Sequence, residues 1–265
     1  MDRKTVYLSS KNRSTGTSDN FTIADTQERF VKNVNPQSIK AITVTIPVTW
    51  YNVTAANNQF EFTSAITGLH HIEISPGNYS GETLAQALQD ALEVEIPCGG
   101  YTVTYDCNTG KFTVASKTEP FSVDFTIANN MAEILGFEEV VTASAMSHTS
   151  TKVANIIIDT EIWVCTNLIS GIDNGVLNWT ANAPKNEQMG ILACVPITAC
   201  FGGIIQYTLP SQLPYYIITN SKFTNPGDDP RELQLYLAFP SGAPISLNGH
   251  DWGMQVVFDF NHPNL

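Results

Sequence analysis

The chain is poor in basic residues. Lys and Arg together number 13 of 265 residues, against 25 Asp and Glu, and the formal net charge is −12. Because an acidic surface repels phosphate groups, we expect no nucleic-acid partner. The sequence also lacks an apolar run of about 18 residues and an apolar segment near its start, so we expect neither a membrane-spanning helix nor a signal peptide.

The motifs that most often carry chemistry are missing as well. There is no Gly-x-Ser-x-Gly nucleophile motif and no Cys-x-x-Cys pair. No helical pattern follows Gly202-Gly203, so this pair predicts a close backbone approach and not a phosphate-binding loop. Asp228-Asp229 lacks the spaced oxygen ligands of a calcium loop. We therefore expect no catalytic, cofactor-binding or metal-ligating residues, no cofactor, and no enzymatic activity.

Two histidine-containing pairs are the remaining candidates for a site. His70 and His71 are adjacent in a predicted strand, where neighbouring side chains point to opposite faces, so one metal ion is not readily bound by both. His250 and Asp251 lie in a predicted turn with no nucleophile beside them. We expect Asp251 to cap this turn by hydrogen-bonding the backbone near Gly253.

The cysteines are odd in number: Cys98, Cys107, Cys165, Cys194 and Cys200. Without signs of secretion, we expect reduced and mostly buried thiols. The spacing leaves open whether Cys98 pairs with Cys107, or Cys194 with Cys200.

Alternation of apolar and polar residues dominates the chain and predicts a mainly β protein. The last strand is the clearest case: after the Asn248-Gly249 turn, Met254, Val256, Phe258 and Phe260 fall on one face. A long strand is predicted for residues 39–51, and several more follow residue 153. Many short strands with intervening turns are typical of a β-sandwich or barrel.

One region between the strands has a helical pattern. Ser80 is the predicted N-cap of a helix from Gly81 to Glu93, whose apolar stripe is Leu84, Leu88 and Leu92. A hairpin is predicted from residues 100–105 and 111–116. The first 35 residues are polar and hold much of the positive charge, with seven basic residues against four acids in residues 1–40. They are interpreted as an extended arm.

Four stretches, in the same order, resemble one family of viral proteins. They are YLSSKNRSTGTSDNFTI, IKAITVTIPVTWYNV with NNQF, IEISPGNYSGETLAQALQDAL, and ACFGGIIQYT with ELQLYLAFPSGAPISLNGHDW. Together they are similar to the penton, or minor capsid, proteins of double-stranded DNA viruses of the double-jelly-roll lineage, which includes giant viruses, virophages and Polinton-like elements. Residues 170–190 match nothing in that pattern.

The resemblance implies a fold and a role. The fold is a single jelly-roll β-sandwich with an inserted helix-plus-hairpin region: an N-terminal arm at 1–35, the jelly roll at 36–75 and 146–265, and the insertion at 76–145. The role is a homopentameric penton at the fivefold vertices of an icosahedral virion, assembled in the host cell. The implied partners are further copies of the chain, neighbouring capsomers of the major capsid protein and other minor capsid proteins, with a vertex fibre left open. If residues 1–35 are an arm, deleting residues 1–30 preserves the fold and blocks incorporation into capsids.

Two other roles stay open at this stage. One is a different minor virion protein, such as a cement protein or spike adaptor. The other is a glycan-binding sandwich, in which Trp50, Trp163, Trp179 or Trp252 stacks on a sugar, although Trp163 and Trp252 lie in or beside strands, where core packing is expected.

Overall fold

The computed structural model describes residues 2–25, 36–64, 66–96, 100–157, 159–169, 190–212, 215–220, 223 and 231–260. These residues are mainly β-strand, and they fall into two compact units. Unit 1 comprises Met1–Trp50 and Asp159–Leu265, and unit 2 comprises Tyr51–Ile158. No helix in the described ranges is both long enough and apolar enough to cross a membrane.

The elements follow one another along the chain in this order: β1 Asp2–Ser9, a 3-10 helix Ser10–Asn12, β2 Thr15–Gly16, β3 Asn20–Asp25, β4 Pro36–Pro47, β5 Gln59–Ser64, β6 Gly68–Glu73, α1 Gly81–Glu95, β7 Tyr101–Asp106, β8 Lys111–Ser116, β9 Phe121–Asp124, α2 Ala132–Leu135, β10 Ser147–Thr149, β11 Glu161–Thr166, β12 Gly190–Pro196, β13 Ile204–Thr208, β14 Tyr216–Ile217, β15 Arg231–Ala238 and β16 Gly253–Phe260.

Unit 1 has the strand order of a jelly roll. Its eight longer strands are β1, β3, β4, β11, β12, β13, β15 and β16, here numbered first to eighth along the chain. One sheet runs β1-β16-β4-β13, the order first-eighth-third-sixth, and β14 also pairs with β4. The other sheet runs β12-β11-β15-β3, with β2 beyond β3, the order fifth-fourth-seventh-second. Eight antiparallel strands divided in this way between two packed sheets are the jelly-roll arrangement, and the prediction of this fold is confirmed.

Alternating side chains of both sheets build the core of unit 1. In β16, Met254, Val256, Phe258 and Phe260 are buried against residues of the other sheet such as Leu235. This is the inward face that the alternation predicted. On the other face of β16, Val257 and Asp259 are buried and Gln255 is exposed.

Unit 2 packs β-strands against the longer of its two helices, α1. One sheet runs β6-β5-β9 and another runs β10-β8-β7. The segment before β10 links them, since Ala145 exchanges backbone hydrogen bonds with Phe121 of β9 and Met146 accepts one from Ser116 of β8. Leu84, Leu88 and Leu92 of α1 are buried in a core that these strands share, as the helical stripe predicted.

The start of α1 agrees with its sequence signals. Ser80 is the N-cap: its hydroxyl accepts the Thr83 N–H, and the Thr83 hydroxyl accepts the Ser80 N–H. Asn52 holds the residue before the cap, because its side chain accepts the Tyr79 N–H at 2.9 Å and donates to the Tyr79 carbonyl at 2.7 Å. The helix ends at Glu95, two residues later than predicted.

Gly81 is required by a neighbouring ring. A Cβ placed there would lie 2.3 Å from Cε1 of Tyr105, which is itself packed against Phe112. Alanine normally favours a helix over glycine by up to about 1 kcal/mol, but here we expect Gly81→Ala to destabilise the protein by about 1–3 kcal/mol. Urea unfolding followed by circular dichroism measures this change. In a Tyr105→Ala background the penalty should disappear; an equal penalty in both backgrounds would contradict the steric explanation.

The structure divides the chain differently from the sequence prediction. The compact unit that contains the helix and hairpin spans residues 51–158 and not 76–145, because β5 and β6 pair within unit 2. The extended arm predicted for residues 1–35 is corrected for its described part. β1 pairs with β16 along its whole length and β3 pairs with β15, so residues 2–9 and 20–25 are strands of the jelly roll. Residues 26–35 lie outside the described ranges.

Candidate functional site

The turn before the last strand has the geometry that its sequence predicts. The His250 N–H donates to the Leu247 carbonyl at 3.1 Å, and Asn248 and Gly249 both have positive φ, 50° and 84°. The turn is held to the end of β4: the Thr49 hydroxyl donates to the Leu247 carbonyl at 2.7 Å, and the Asn248 amide donates to the Thr49 carbonyl.

A polar cluster joins this turn to the segment after β1. The Ser10 hydroxyl donates to Oδ1 of Asp251 at 2.7 Å and accepts the Trp252 N–H at 3.0 Å. Arg13 also reaches Oδ1 of Asp251, at 3.1 Å, and donates to the Ser10 carbonyl at 2.8 Å. We call Ser10, Arg13, Asp251 and Trp252 the closing lock. It fixes the beginning of the jelly roll to its last strand.

The contacts of the closing lock suit a structural role and do not suit nucleophilic catalysis. Ser10 is fully buried, and its oxygen is occupied by one donated and one accepted hydrogen bond. A nucleophile needs an adjacent base and access to substrate, whereas His250 is exposed and Asp251 faces Ser10 and Arg13. The predicted cap from Asp251 to the backbone near Gly253 is replaced by these contacts, because the hydroxyl and guanidinium of a distant segment reach the carboxylate.

Both halves of the lock lie in stretches that resemble penton proteins, but no local pattern in the sequence pairs them. Ser10 and Asp251 are 241 residues apart. The available signal was compositional: the Ser-Lys-Asn-Arg stretch offers a hydroxyl and a guanidinium, and the Asp251-Trp252 pair offers a carboxylate beside a large apolar side chain.

The two adjacent histidines point to opposite faces of β6, as predicted. His70 stacks on Phe62 with ring centroids 5.0 Å apart, and its Nδ1 lies 3.2 Å from a carboxylate oxygen of Glu95. His71 lies on the outer face, with Nδ1 3.5 Å from Glu61. Among the described residues, no three His, Cys, Asp or Glu side chains converge in a group suited to a metal ion.

The four described cysteines are free thiols, with Cys165 buried and Cys107, Cys194 and Cys200 exposed. The exposure of three of them corrects the prediction of mostly buried thiols, because their strand faces and turns lie at the surface. Burial raises the pKa of Cys165. Cys98 lies outside the described residues, as does the Asp228-Asp229 pair.

Cys107 is an exposed thiol held in a hydrogen bond. Its S–H donates to Glu82 at 2.9 Å, and this hydrogen bond raises the pKa of the Cys107 thiol and lowers the pKa of Glu82. A raised pKa means less thiolate at a given pH. We therefore expect Glu82→Gln to speed iodoacetamide alkylation of Cys107 at about pH 8 by about threefold or more.

Peptide mass spectrometry measures the alkylation rate at each cysteine. Cys200, also exposed, serves as the internal control, and its rate should stay the same in both proteins. An unchanged rate at Cys107 in the Glu82→Gln variant would show that the hydrogen bond does not suppress its reactivity.

Two of the tryptophans are core residues. Trp50 packs edge-to-face on Phe239 at 6.2 Å, and Trp252 does the same on Phe21 at 5.6 Å. Trp163 is partly buried and donates its indole N–H to Glu161 at 2.8 Å. Trp179 lies outside the described residues. The buried positions of Trp50 and Trp252 remove them as sugar-stacking platforms.

Gly202-Gly203 makes the predicted close backbone approach. The Gly202 N–H donates to the Val48 carbonyl at 2.8 Å, and the Val48 N–H donates to the Gly203 carbonyl at 2.9 Å. A side chain at Gly203 would lie 2.9 Å from the Cys200 carbonyl oxygen. The pair thus closes the connection between β12 and β13 against the end of β4.

Comparison with known proteins gives a structural likeness. No protein-family model and no curated protein sequence matches the chain. Among solved structures, a crystal structure of the mavirus penton protein matches with a TM-score of 0.50 and 9% sequence identity, over 98% of this chain and 100% of that chain. At this identity the likeness establishes a shared fold.

Proposed function

We propose that this chain is a structural capsid protein that forms a homopentameric penton at the fivefold vertices of an icosahedral double-stranded DNA virus. The observation that carries the proposal is the likeness to the mavirus penton protein, which extends over 98% of this chain and therefore includes both units. A likeness limited to the jelly roll would support many unrelated roles, since that fold serves capsids, lectins and enzymes alike.

The closing lock adds support from the sequence. Two of the four stretches that resemble penton proteins contain the two halves of this lock, and the structure brings them into hydrogen-bond contact. Residues that resemble the family in sequence are thus the residues that close the jelly roll. Their similarity is accounted for by the architecture and requires no catalytic role.

The proposed role also implies a location and a set of partners for the protein. As a penton, it is located in the virion and contacts other copies of itself, neighbouring capsomers of the major capsid protein and other minor capsid proteins, with unit 2 as the inserted domain available to a vertex fibre. A penton of this kind is not an enzyme and holds no cofactor. A closed ring requires that one surface of each copy meets a different surface of the next.

Two measurements test the proposal. Native mass spectrometry of the purified full chain should show assemblies of five 29.0 kDa chains, and images of the particle should place the protein on the fivefold axes. A chain that stays monomeric at all concentrations and in the presence of the major capsid protein would overturn the proposal. Location in the particle away from those axes would favour a cement protein or spike adaptor instead.

A further inference from the structure

The two outer edges of the sheet β1-β16-β4-β13 differ in chemistry. One edge is β1, which pairs only with β16 among the described residues and carries Arg3 and Lys4. The other edge is formed by β13 and β14, which both pair with β4. No charged residue and no histidine occurs in the sequence from Gln188 to Ser221, a stretch that includes both strands of this second edge.

The second edge also exposes large apolar side chains. Phe201 is 49% exposed, Ile204 is 60% exposed and Ile217 is 74% exposed. Ile204 pairs with Pro47 and Ile217 with Ser38, so both point away from the core, while the adjacent Ile205 is buried. We call residues 200–208 and 216–217 the uncharged flank; the adjacent Tyr215 is left out of it because Arg3 and Lys40 both lie over its ring.

An exposed strand edge without charged residues is normally covered by another segment or another molecule. Exposed strand edges are usually protected by charged residues, by proline or by covering chain, because their unpaired backbone groups and apolar side chains otherwise promote association. On the uncharged flank, Ile204, Gln206 and Thr208 are exposed along β13, and none of them is charged. Contiguous exposed apolar residues mark a surface for a partner.

We propose that the uncharged flank is the surface through which this protein contacts a second copy of itself, and that it meets the β1 edge of that copy. The inference rests on the proposed function, and it assigns the surface that makes the ring. β1 and β13 are opposite ends of one sheet. A head-to-tail contact in a ring needs two different surfaces on opposite sides of the subunit, and these two edges satisfy that requirement.

Charge favours the β1 edge as the opposing surface. The chain carries a net charge of −12, so most approaches of one copy to another are repulsive. β1 is an exception, because it presents the exposed Tyr7 and the cation Arg3, whose side chain is 57% exposed while it also lies over the Tyr215 ring and 3.9 Å from Asp259 of the same chain. Arginine and tyrosine are enriched in protein interfaces. A membrane or nucleic acid is a poorer occupant of this edge, because the exposed β13 residues Ile204, Gln206 and Thr208 offer no cation to phosphate groups and the nearby Lys40 already contacts Tyr215 and Ser211.

The test introduces charge on the flank. In the full chain, the double variant Ile204→Lys, Ile217→Lys should raise the concentration needed for half-assembly by on the order of tenfold or more, because two cations would be buried against the β1 edge. The matched control is Ile66→Lys, Leu69→Lys, which changes two residues of similar exposure in unit 2. The control should assemble as the unchanged protein does. Analytical ultracentrifugation over a concentration series measures both.

A second pair of variants identifies the opposing surface. Ile204→Glu, Ile217→Glu should weaken assembly less than the lysine variant, since the added carboxylates would face Arg3 and Lys4. A glutamate variant that assembles worse than the lysine variant would show that the flank meets an acidic surface, and would overturn the pairing with β1. Thermal unfolding of each variant, followed by tryptophan fluorescence, checks that unit 1 is folded.

The outcomes separate this inference from the proposed function. If the unchanged protein forms pentamers and the lysine variant forms them equally well, the uncharged flank is not the interface and the penton role stands. If the lysine variant and the unit 2 control lose assembly equally, the assignment to this flank fails. If the unchanged protein never assembles, the proposed function and this inference fail together.

Discussion

Deletion of residues 1–30 is expected to abolish the cooperative folding of unit 1. The deletion removes β1 and β3, which are two of the eight longer strands of the jelly roll. β16 would lose one of its two partner strands along eight residues, and β15 would lose one of its two along six. Buried backbone groups left unpaired cost free energy, and the apolar residues of the core would be exposed to water.

A point variant makes the same test without removing chain. Leu8 is the buried residue of β1 and belongs to the core of unit 1. Leu8→Ala should therefore destabilise the protein by about 2–5 kcal/mol, the usual cost of truncating a buried leucine. Tyr7→Ala, one position earlier on the exposed face of the strand, should change stability by less than about 1 kcal/mol.

Tryptophan fluorescence reports on unit 1 selectively, because Trp50, Trp163, Trp179 and Trp252 all belong to unit 1 in sequence. Denaturant unfolding followed by this signal should show no cooperative transition for the deletion and a lower midpoint for Leu8→Ala. A truncated protein that unfolds at the same midpoint as the full chain would mean that residues 1–30 are the separate arm suggested by their polarity.

A β-sandwich or barrel was predictable because the inward faces of its strands follow the two-residue period of a strand, whereas the jelly roll was implied by the resemblance to penton proteins. Met254, Val256 and Phe258 alternate with less apolar residues, and they are buried as this pattern requires. The helix was predictable from Ser80 and the leucine stripe. Its end was placed two residues early, although Pro97, directly after the C-cap Ile96, is a helix-stop signal that allows the helix to include Val94 and Glu95.

The first strand was misread because it lies at an edge. Within residues 3–9, Leu8 is buried while Arg3, Lys4 and Thr5 are exposed. An edge strand with a solvated face has a weak alternation that resembles loop sequence, and its partner is more than 240 residues away. Residues 2–9 form a strand because they pair with β16, and neither residue propensity nor local pattern predicts that pairing.

The domain boundary was misplaced for a related reason. β5 and β6 have the same alternation as jelly-roll strands, with Phe60 and Phe62 on one face, so nothing local assigns them to either unit. Their assignment depends on β9, to which β5 pairs. The candidate site has the same limit: Asp251 was found, but its partner Ser10 is set by the closure of the whole sandwich.

Trp252→Ala is expected to destabilise unit 1 by about 3–5 kcal/mol, the usual cost of truncating a buried aromatic residue. The side chain is 2% exposed and packs edge-to-face on Phe21 of the opposite sheet. The backbone of residue 252 keeps its hydrogen bonds to Ser10 in the variant, since the N–H and carbonyl are retained. The loss should therefore reflect packing between the two sheets.

Trp252→Phe distinguishes the contribution of aromatic packing from that of the indole N–H. The indole N–H of Trp252 is buried and has no hydrogen-bond partner within the described part of the chain. A buried N–H without a partner costs free energy, so its removal offsets part of the lost contact area. We expect Trp252→Phe to cost less than about 2 kcal/mol, well below the cost of Trp252→Ala.

Control variants test whether the loss of stability comes from the contact between Trp252 and Phe21 or would follow from truncating any core residue. Urea unfolding followed by circular dichroism avoids the loss of a fluorophore. His250→Ala, a change in the exposed neighbour, should shift stability by less than about 0.5 kcal/mol. A double variant with Phe21→Ala should show a coupling of about 0.5–1.5 kcal/mol with Trp252→Ala, the range for an edge-to-face aromatic pair. Strictly additive changes in the free energy of unfolding, or equal losses for Trp252→Ala and Trp252→Phe, would contradict the packing role of Trp252. The Asn-Gly-His-Asp-Trp turn would then need an explanation other than holding the two sheets together.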